Sequence, residues 1–139
     1  MGVVVRERGT LLSVLIKRAK ALTSGKVVRA AAVACGREAK AIVTETFDNE
    51  RSTAGVAWRR LARPTGRKIL VKTGRLRRVA TRPVVAGYSV FVFWPIHGAL
   101  HMEGTRYMPA RPFAPTSPLD PRTRARFEHT IATVLRTIR

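Results

Sequence analysis

One stretch decides the fold class: Leu76-Arg77-Arg78-Val79-Ala80-Thr81-Arg82-Pro83-Val84-Val85-Ala86-Gly87-Tyr88-Ser89-Val90-Phe91-Val92-Phe93-Trp94. Two runs rich in β-branched and aromatic residues, 76–85 and 89–94, flank Ala86-Gly87-Tyr88, which is typical of a short β-hairpin. Pro83 favours an edge strand or a bulge, because proline cannot donate a hydrogen bond to a sheet. Residues 90–93 are apolar at every position, so we expect both faces of the second strand to be covered.

Helical patterns flank this hairpin on both sides. Apolar residues recur at steps of three and four over about 10–22, about 26–47 and 121–138, and Pro121 suits a first helical turn. The residues between the second helix and the hairpin predict a long arginine-rich loop. Pro95 and Gly104 bracket a segment that we expect to be too short for a stable independent helix. The expected class is α+β: N-terminal helices, a small antiparallel sheet with a hairpin at about 76–94, and a C-terminal helix.

Length and composition predict a single domain over residues 1–139. It consists of a basic N-terminal helical extension at 1–24 and a core at 25–139, and the 45% hydrophobic content is enough to build that core. No apolar run approaches the ~20 residues needed to cross a bilayer. Charges near the N-terminus are not typical of a secretion signal. We therefore expect no membrane contact and a protein that acts in the compartment where it is made.

The charge is strongly basic and unevenly distributed. The chain has 27 Lys and Arg against 8 Asp and Glu, a net charge of +19, and residues 51–102 contain 11 basic and no acidic side chains. Such a block is expected to face a polyanion or an acidic protein surface, although a solvated face is also possible. Aromatic residues make up only 6% and do not interleave with it, which favours phosphate-backbone contact over base stacking. The candidate contacts are Arg59, Arg60, Arg63, Arg67, Lys68, Lys72, Arg75, Arg77, Arg78 and Arg82.

No residue pattern indicates catalysis. His97 and His101 are four apart with Glu103 nearby, but Pro95 and two glycines make a continuous helix doubtful, so two structural histidines are the favoured interpretation. Cys35 lies among alanines and is expected to be a small buried side chain. The acidic residues near the end of the second helix are explained by ion pairing on the helix surface. We expect no enzyme activity, no metal and no cofactor.

Short landmarks follow one another along the chain: Trp58-Arg59-Arg60-Leu61, Thr73-Gly74-Arg75-Leu76, the apolar strand, His101-Met102-Glu103-Gly104, and Pro109-Ala110-Arg111-Pro112-Phe113 ahead of the last helix. In this order they resemble the virion morphogenesis, or tail-completion, family of tailed phages, of the Mu-like kind, over about residues 30–139. The departures from the family pattern are the basic N-terminal extension and Trp94-Pro95.

The resemblance implies a structural virion protein of the neck, made in the host cytoplasm, that forms a ring joining the head connector to the tail. The implied partners are further copies in a hexamer or dodecamer, connector proteins of the portal, adaptor or stopper type, and the tail terminator or tail tube. The backbone of packaged double-stranded DNA is a further candidate contact. Residues 25–139 would be the tail-completion-like core. The family-motif positions are Trp58, Leu61, Thr73, Gly74, Leu76, His101 and Gly104.

The last landmark, which we call the PARPF box, is a candidate subunit interface made of Pro109, Ala110, Arg111, Pro112 and Phe113. Prolines on both sides restrict Arg111, so ordering it against a neighbour would cost little entropy, and Phe113 would be an apolar anchor. We therefore expect alanine at Arg111 and Phe113 to leave the monomer folded.

Two other classes of function remain open at the level of the sequence. The charge alone indicates a basic protein that binds nucleic acid without sequence specificity, of ribosomal or chromatin type. A small toxin-like or hydrolytic enzyme would need a convergent set of acidic or nucleophilic residues, which the sequence does not offer.

Overall fold

The structure is a computed structural model that describes residues 2–4 and 25–137. Its elements are β1 (Gly2–Val4), α1 (Gly25–Asn49), α2 (Arg75–Ala80), β2 (Val84–Ala86), β3 (Ser89–Phe93), α3 (Ile96–Glu103) and α4 (Pro121–Thr137). The predicted α+β class, the long helix near 26–47 and the C-terminal helix are confirmed. The helix expected over about 10–22, and with it most of the N-terminal extension, lies outside the described residues.

The sheet has three antiparallel strands in the order β1-β3-β2. Val85 pairs with Val90 across the hairpin, and Val3 pairs with Val92 on the other side of β3. The hairpin turns at Gly87, whose φ of 58° is the left-handed conformation that glycine adopts without steric cost. The predicted hairpin is confirmed, but it covers only 84–93.

The first half of the predicted hairpin is a helix, so the expectation of a strand over 76–83 is wrong. Leu76 and Ala80 are buried while Arg78 is exposed. In a strand these three residues would share one face and bury the guanidinium of Arg78 with them. The helical turn of α2 separates Arg78 from the two apolar side chains and leaves it in solvent.

Residues 96–103 form a helix that the sequence pattern did not predict, since the segment was expected to be too short for a stable independent helix. α3 follows Pro95, and Gly98 is its buried residue. A Cβ atom at Gly98 would lie 2.7 Å from Trp94 Cδ1 and 3.0 Å from Leu76 Cδ1, so the helix backbone packs directly on these side chains. Tertiary packing supports a helix that its eight residues would not sustain alone.

Only one face of β3 is covered in the described part of the chain. Val90 and Val92 are buried, whereas Phe91 is half-buried and Phe93 is 39% exposed. The rings of Phe91 and Phe93 stack on each other with centroids 6.0 Å apart. Within the described residues the expectation of two covered faces is not confirmed: Val90 and Val92 pack into the core, whereas the face of Phe91 and Phe93 stays partly exposed.

The core lies between α1, α4 and the inner face of the sheet. Phe47 and Phe113 are fully buried, with ring centroids 5.5 Å apart, and Trp58 meets Phe47 edge-on. α4 contributes Phe127 and Ile131 to this core. No helix in residues 25–137 is long and apolar enough to cross a membrane.

Candidate binding groove

The PARPF box is part of the interior of this chain. Phe113 has no exposed surface and Arg111 is 5% exposed. The Arg111 guanidinium donates to the backbone carbonyls of Arg59 (2.9 Å) and Arg60 (3.4 Å), and its N–H donates to the carbonyl of His101 (2.7 Å). The interpretation of Arg111 and Phe113 as free side chains for a neighbouring subunit is therefore wrong, since both are engaged within the monomer.

The exposed parts of the box are small. Ala110 is exposed, and Pro109 and Pro112 are half-buried. Pro112 also accepts a hydrogen bond of 2.8 Å at its carbonyl oxygen from Trp58 Nε1. The chain path through the box thus directs Arg111 and Phe113 inward.

Other family-motif positions surround the box or lead into the helices beside it. Gly104 has a φ of 77°, and a Cβ there would lie 2.7 Å from the backbone nitrogen of Ala110. Gly74, with a φ of 72°, immediately precedes α2. Leu76 is buried below α3, and Leu61 packs on the edge of the core. These landmark residues therefore lie in turns or pack against other segments of the same chain.

A groove of about 1140 Å³ opens beside the box. Its walls are the loop over 61–73, helix α2 and helix α3, and Met108 and Arg111 also line it. Five of the ten candidate contacts line it: Arg67, Lys68, Lys72, Arg75 and Arg78. We call these residues and their apolar neighbours the cationic groove.

Among the described residues that line the cationic groove there is no acidic side chain. Lys68 Nζ donates to the carbonyl oxygen of Asp48 at 2.7 Å, which satisfies one donor but neutralises no charge. Within residues 2–4 and 25–137, no carboxylate forms an ion pair with any of the five groove cations. Like charges held close together repel one another, so this site favours an anionic occupant.

The remaining five candidate contacts do not line the groove. Arg77 points to the opposite side of α2, where it forms an ion pair of 2.7 Å with Asp48. Arg59 and Arg60 have exposed side chains and contribute their carbonyl groups to the binding of Arg111. Arg63 and Arg82 are exposed elsewhere. The sequence showed the charge block but could not show which half of it faces one concave surface.

His97 and His101 both lie on α3 and face the groove. Burial lowers the pKa of His101, and the nearby Arg111 and His97 lower it further, so its imidazole is neutral at neutral pH. The described ranges contain no group of three or more His, Cys, Asp or Glu side chains that could hold a metal ion. The doubt about a continuous helix here was wrong, and the two imidazoles do share a helix.

Several acidic residues connect elements that are distant in sequence. Arg126 of α4 donates hydrogen bonds to Glu38 Oε1 and to both carboxylate oxygens of Glu45. The two glutamates lie seven residues apart on α1. The hydrogen bond from Arg126 lowers the pKa of Glu45 against an opposing effect of burial. Glu50 accepts a hydrogen bond from the Ile69 N–H. The predicted ion pairing is therefore between helices α1 and α4, and the spacing of the two glutamates was the available signal.

Cys35 is buried in α1, as its alanine-rich surroundings predicted. Burial raises the pKa of its thiol to about 12, and the charge of Glu38 acts in the same direction. The thiolate is the nucleophilic form of cysteine, so this side chain is a packing residue.

A scan against protein-family models finds no match, and searches of curated proteins and of solved structures find no significant match either. The groove and the motif geometry are therefore the features from which a function can be inferred.

Proposed function

We propose that this chain is a structural subunit of a tailed-phage neck, which assembles as a homo-oligomeric ring between the head connector and the tail. The observation that carries the proposal is the contact between landmark segments that are far apart in sequence. Trp58 donates a hydrogen bond to the carbonyl of Pro112. Arg111 donates hydrogen bonds to the carbonyls of Arg59 and His101. The backbone of Gly104 lies against Ala110.

These contacts bear on the strength of the resemblance. Short motifs that matched a family by chance would have no reason to meet in the folded chain. Here the Trp-x-x-Leu, His-x-x-Gly and PARPF landmarks form one packing unit around Phe113, and Thr-Gly-x-Leu begins the helix that supports it. Their order along the chain thus corresponds to one architecture, which is what membership of a single family would require.

The cationic groove is consistent with a role in assembly. It provides a charged concave surface next to the packing unit, and among its described lining residues we recognise no nucleophile paired with an adjacent base. A neck subunit needs contact surfaces for other copies, for portal, adaptor or stopper-type connectors and for the tail terminator or tail tube, and it needs no catalytic pocket. The virion neck is accordingly the proposed location.

The test is cryo-electron microscopy of particles from cells that express the chain together with the products of its neighbouring genes. We expect a closed ring at the head–tail junction into which residues 25–137 fit as they stand. A parallel preparation without this chain should yield heads and tails that are not joined. Joined particles in that preparation, or a junction without the chain, would overturn the proposal.

A second candidate, a basic protein that binds nucleic acid without sequence specificity, is favoured by the groove cations, which form no ion pair with a carboxylate in the described part of the chain. It predicts that the free monomer binds any duplex with micromolar affinity or better, and that log affinity falls linearly with log salt. Titration of duplexes of different sequence at several salt concentrations measures both properties. Such binding by a chain that never enters particles would support this second function over the first.

A further inference from the structure

We propose that the cationic groove binds an acidic peptide segment that carries apolar side chains, supplied by a different protein from this chain. The identity of that protein as a neck component rests on the proposed function. The chemistry of the segment rests on the groove alone.

The lining of the groove is apolar as well as cationic. Leu61, Leu70, Val79 and Met108 are half-buried and line it together with the charged side chains. A phosphate backbone would satisfy the cations but would leave these apolar surfaces without a partner. A peptide can place carboxylates on the arginines and apolar side chains between them, which is the usual arrangement of a protein interface with an apolar centre and a polar rim.

The size of the groove also fits a peptide. Its volume of about 1140 Å³ exceeds the roughly 300–1,000 Å³ of a typical small-molecule pocket. Arginine binds carboxylates in a two-point geometry, and two of the groove arginines, Arg75 and Arg78, are exposed and three residues apart on α2. A short extended or helical segment could reach both.

One wall of the groove has an unusual backbone. Leu70 has a φ of 62°, in the left-handed region that bulky residues rarely adopt. Conformations of this kind are concentrated at binding sites, where the surrounding structure maintains them. The hydrogen bond from the Ile69 N–H to Glu50, at 2.7 Å, holds the adjacent residue in place.

A second copy of this chain is a poor source of the segment. Most of its described carboxylates already accept hydrogen bonds within the chain: Glu38, Glu45, Asp48, Glu50 and Asp120. The basic block at 51–102 also contains no acidic side chain that another copy could place in the groove. The occupant is therefore expected to be an acidic partner of another sequence.

The experiment measures binding of two labelled peptides to the full chain by fluorescence anisotropy. One peptide alternates Glu and Leu, and the other has the same charge with Ser in place of Leu. We expect the Glu-Leu peptide to bind about tenfold more tightly, since burial of a few apolar groups supplies at least the energy of one tenfold step. Equal affinity for the two peptides would overturn the proposal.

Matched charge variants locate the binding. Arg75→Gln with Arg78→Gln removes two charges from the groove, and Arg59→Gln with Arg60→Gln removes two exposed charges outside it. We expect the first pair to weaken peptide binding about tenfold or more and the second pair to change it less than about twofold. Circular dichroism and thermal melting confirm that both variants fold. An equal loss of peptide affinity in the two variants would mean that the peptide binds through nonspecific electrostatic attraction, and this would overturn the proposal.

A short DNA duplex is the competing ligand. If the duplex displaces the Glu-Leu peptide and loses affinity only in the groove variant, the groove is a nucleic-acid site and the proposal fails. Cryo-electron microscopy of particles separates this failure from that of the proposed function. A ring at the junction with no peptide preference refutes the inference alone, whereas peptide binding by a chain absent from particles refutes the neck role alone.

Discussion

The indole Nε1 of Trp58 donates a hydrogen bond of 2.8 Å to the carbonyl oxygen of Pro112, 54 residues further along the chain. Arg111 makes the reciprocal connection by donating to the carbonyl of Arg59. The long loop after Trp58 has no regular secondary structure until α2, so these bonds and the Trp58–Phe47 contact hold its first part. The same loop continues into residues 61–73, which form one wall of the cationic groove, so these contacts also support that wall.

Trp58→Phe should lower the free energy of unfolding by about 1–3 kcal/mol, because the Pro112 carbonyl loses its donor in a partly buried place. Urea denaturation at neutral pH measures the change. Tyr107→Phe is the matched control: Tyr107 is 89% exposed, so its effect should stay within about 0.5 kcal/mol. Equal stability of Trp58→Phe and the unaltered chain would show that the bond does not hold the loop.

Phe113→Ala should destabilise the monomer by about 3–5 kcal/mol, since it leaves a cavity between Phe47 and Trp94. This loss is a large part of the stability of a domain of this size, so we expect partial unfolding. Near-ultraviolet circular dichroism and denaturant titration of the isolated chain detect it. A folded, stable monomer that merely fails to assemble would restore the interface interpretation of the PARPF box.

Arg111→Met should destabilise the chain by about 1.5–3 kcal/mol, because the carbonyls of Arg59 and Arg60 lose a charged donor in a partly buried place while the side-chain volume is largely kept. Arg106→Met is the comparison, since Arg106 is exposed. Thermal melting of both variants distinguishes a buried structural arginine from a surface one. Similar melting temperatures for the two variants would contradict this role.

Gly36→Ala should lower the free energy of unfolding by about 1–3 kcal/mol. A Cβ at Gly36 would lie 2.6 Å from Val85 Cγ2, so either the Val85 side chain or the packing of α1 on β2 would have to shift. Gly25→Ala is the control, because a Cβ at Gly25 meets no atom within 4 Å. The combination of Gly36→Ala with Val85→Ala should recover part of the loss, and failure to recover any would mean that the close approach is not the cause.

Acid should weaken the bridge between α1 and α4. The folded-state pKa of Glu45 is lowered by its hydrogen bond from Arg126, so the bridge stabilises the fold above the ordinary glutamate pKa. That stabilisation is lost as the pH falls through the lower, folded-state pKa. The Glu45 side chain is 46% exposed, so Glu45→Gln should cost less than about 1 kcal/mol at neutral pH.

Urea titrations from about pH 6 down to about pH 3 test this linkage. The stability difference between the unaltered chain and Glu45→Gln should shrink as the pH falls. In an Arg126→Gln background the same substitution should have little pH-dependent effect, because the donor is missing. A difference that is constant over this range would rule out Arg126 as the cause.

Several elements were predictable because local pattern and final environment agree. The alanine-rich periodicity of α1, the apolar stripe of α4 after Pro121 and the glycine turn of the hairpin all appear as expected. The concentration of positive charge at 51–102 is likewise a property of the sequence. In each case the side chains within one element carry the information.

The remaining features depend on partners that are distant in sequence. Residues 76–80 are helical because the helix buries Leu76 and Ala80 without Arg78, and α3 exists because Gly98 allows it to pack on Trp94. The PARPF box faces inward because Trp58 and the carbonyls of the arginine-rich loop meet it.

The amino-acid sequence by itself determined the α+β class, the two long helices, the hairpin turn and the excess of positive charge, since these follow from backbone preferences and from the periodicity of apolar residues. Only the tertiary structure decided which arginines share a groove and which motif residues are buried. Burial and hydrogen bonding between residues about 50 positions apart are properties of the packed chain, and no local pattern specifies them.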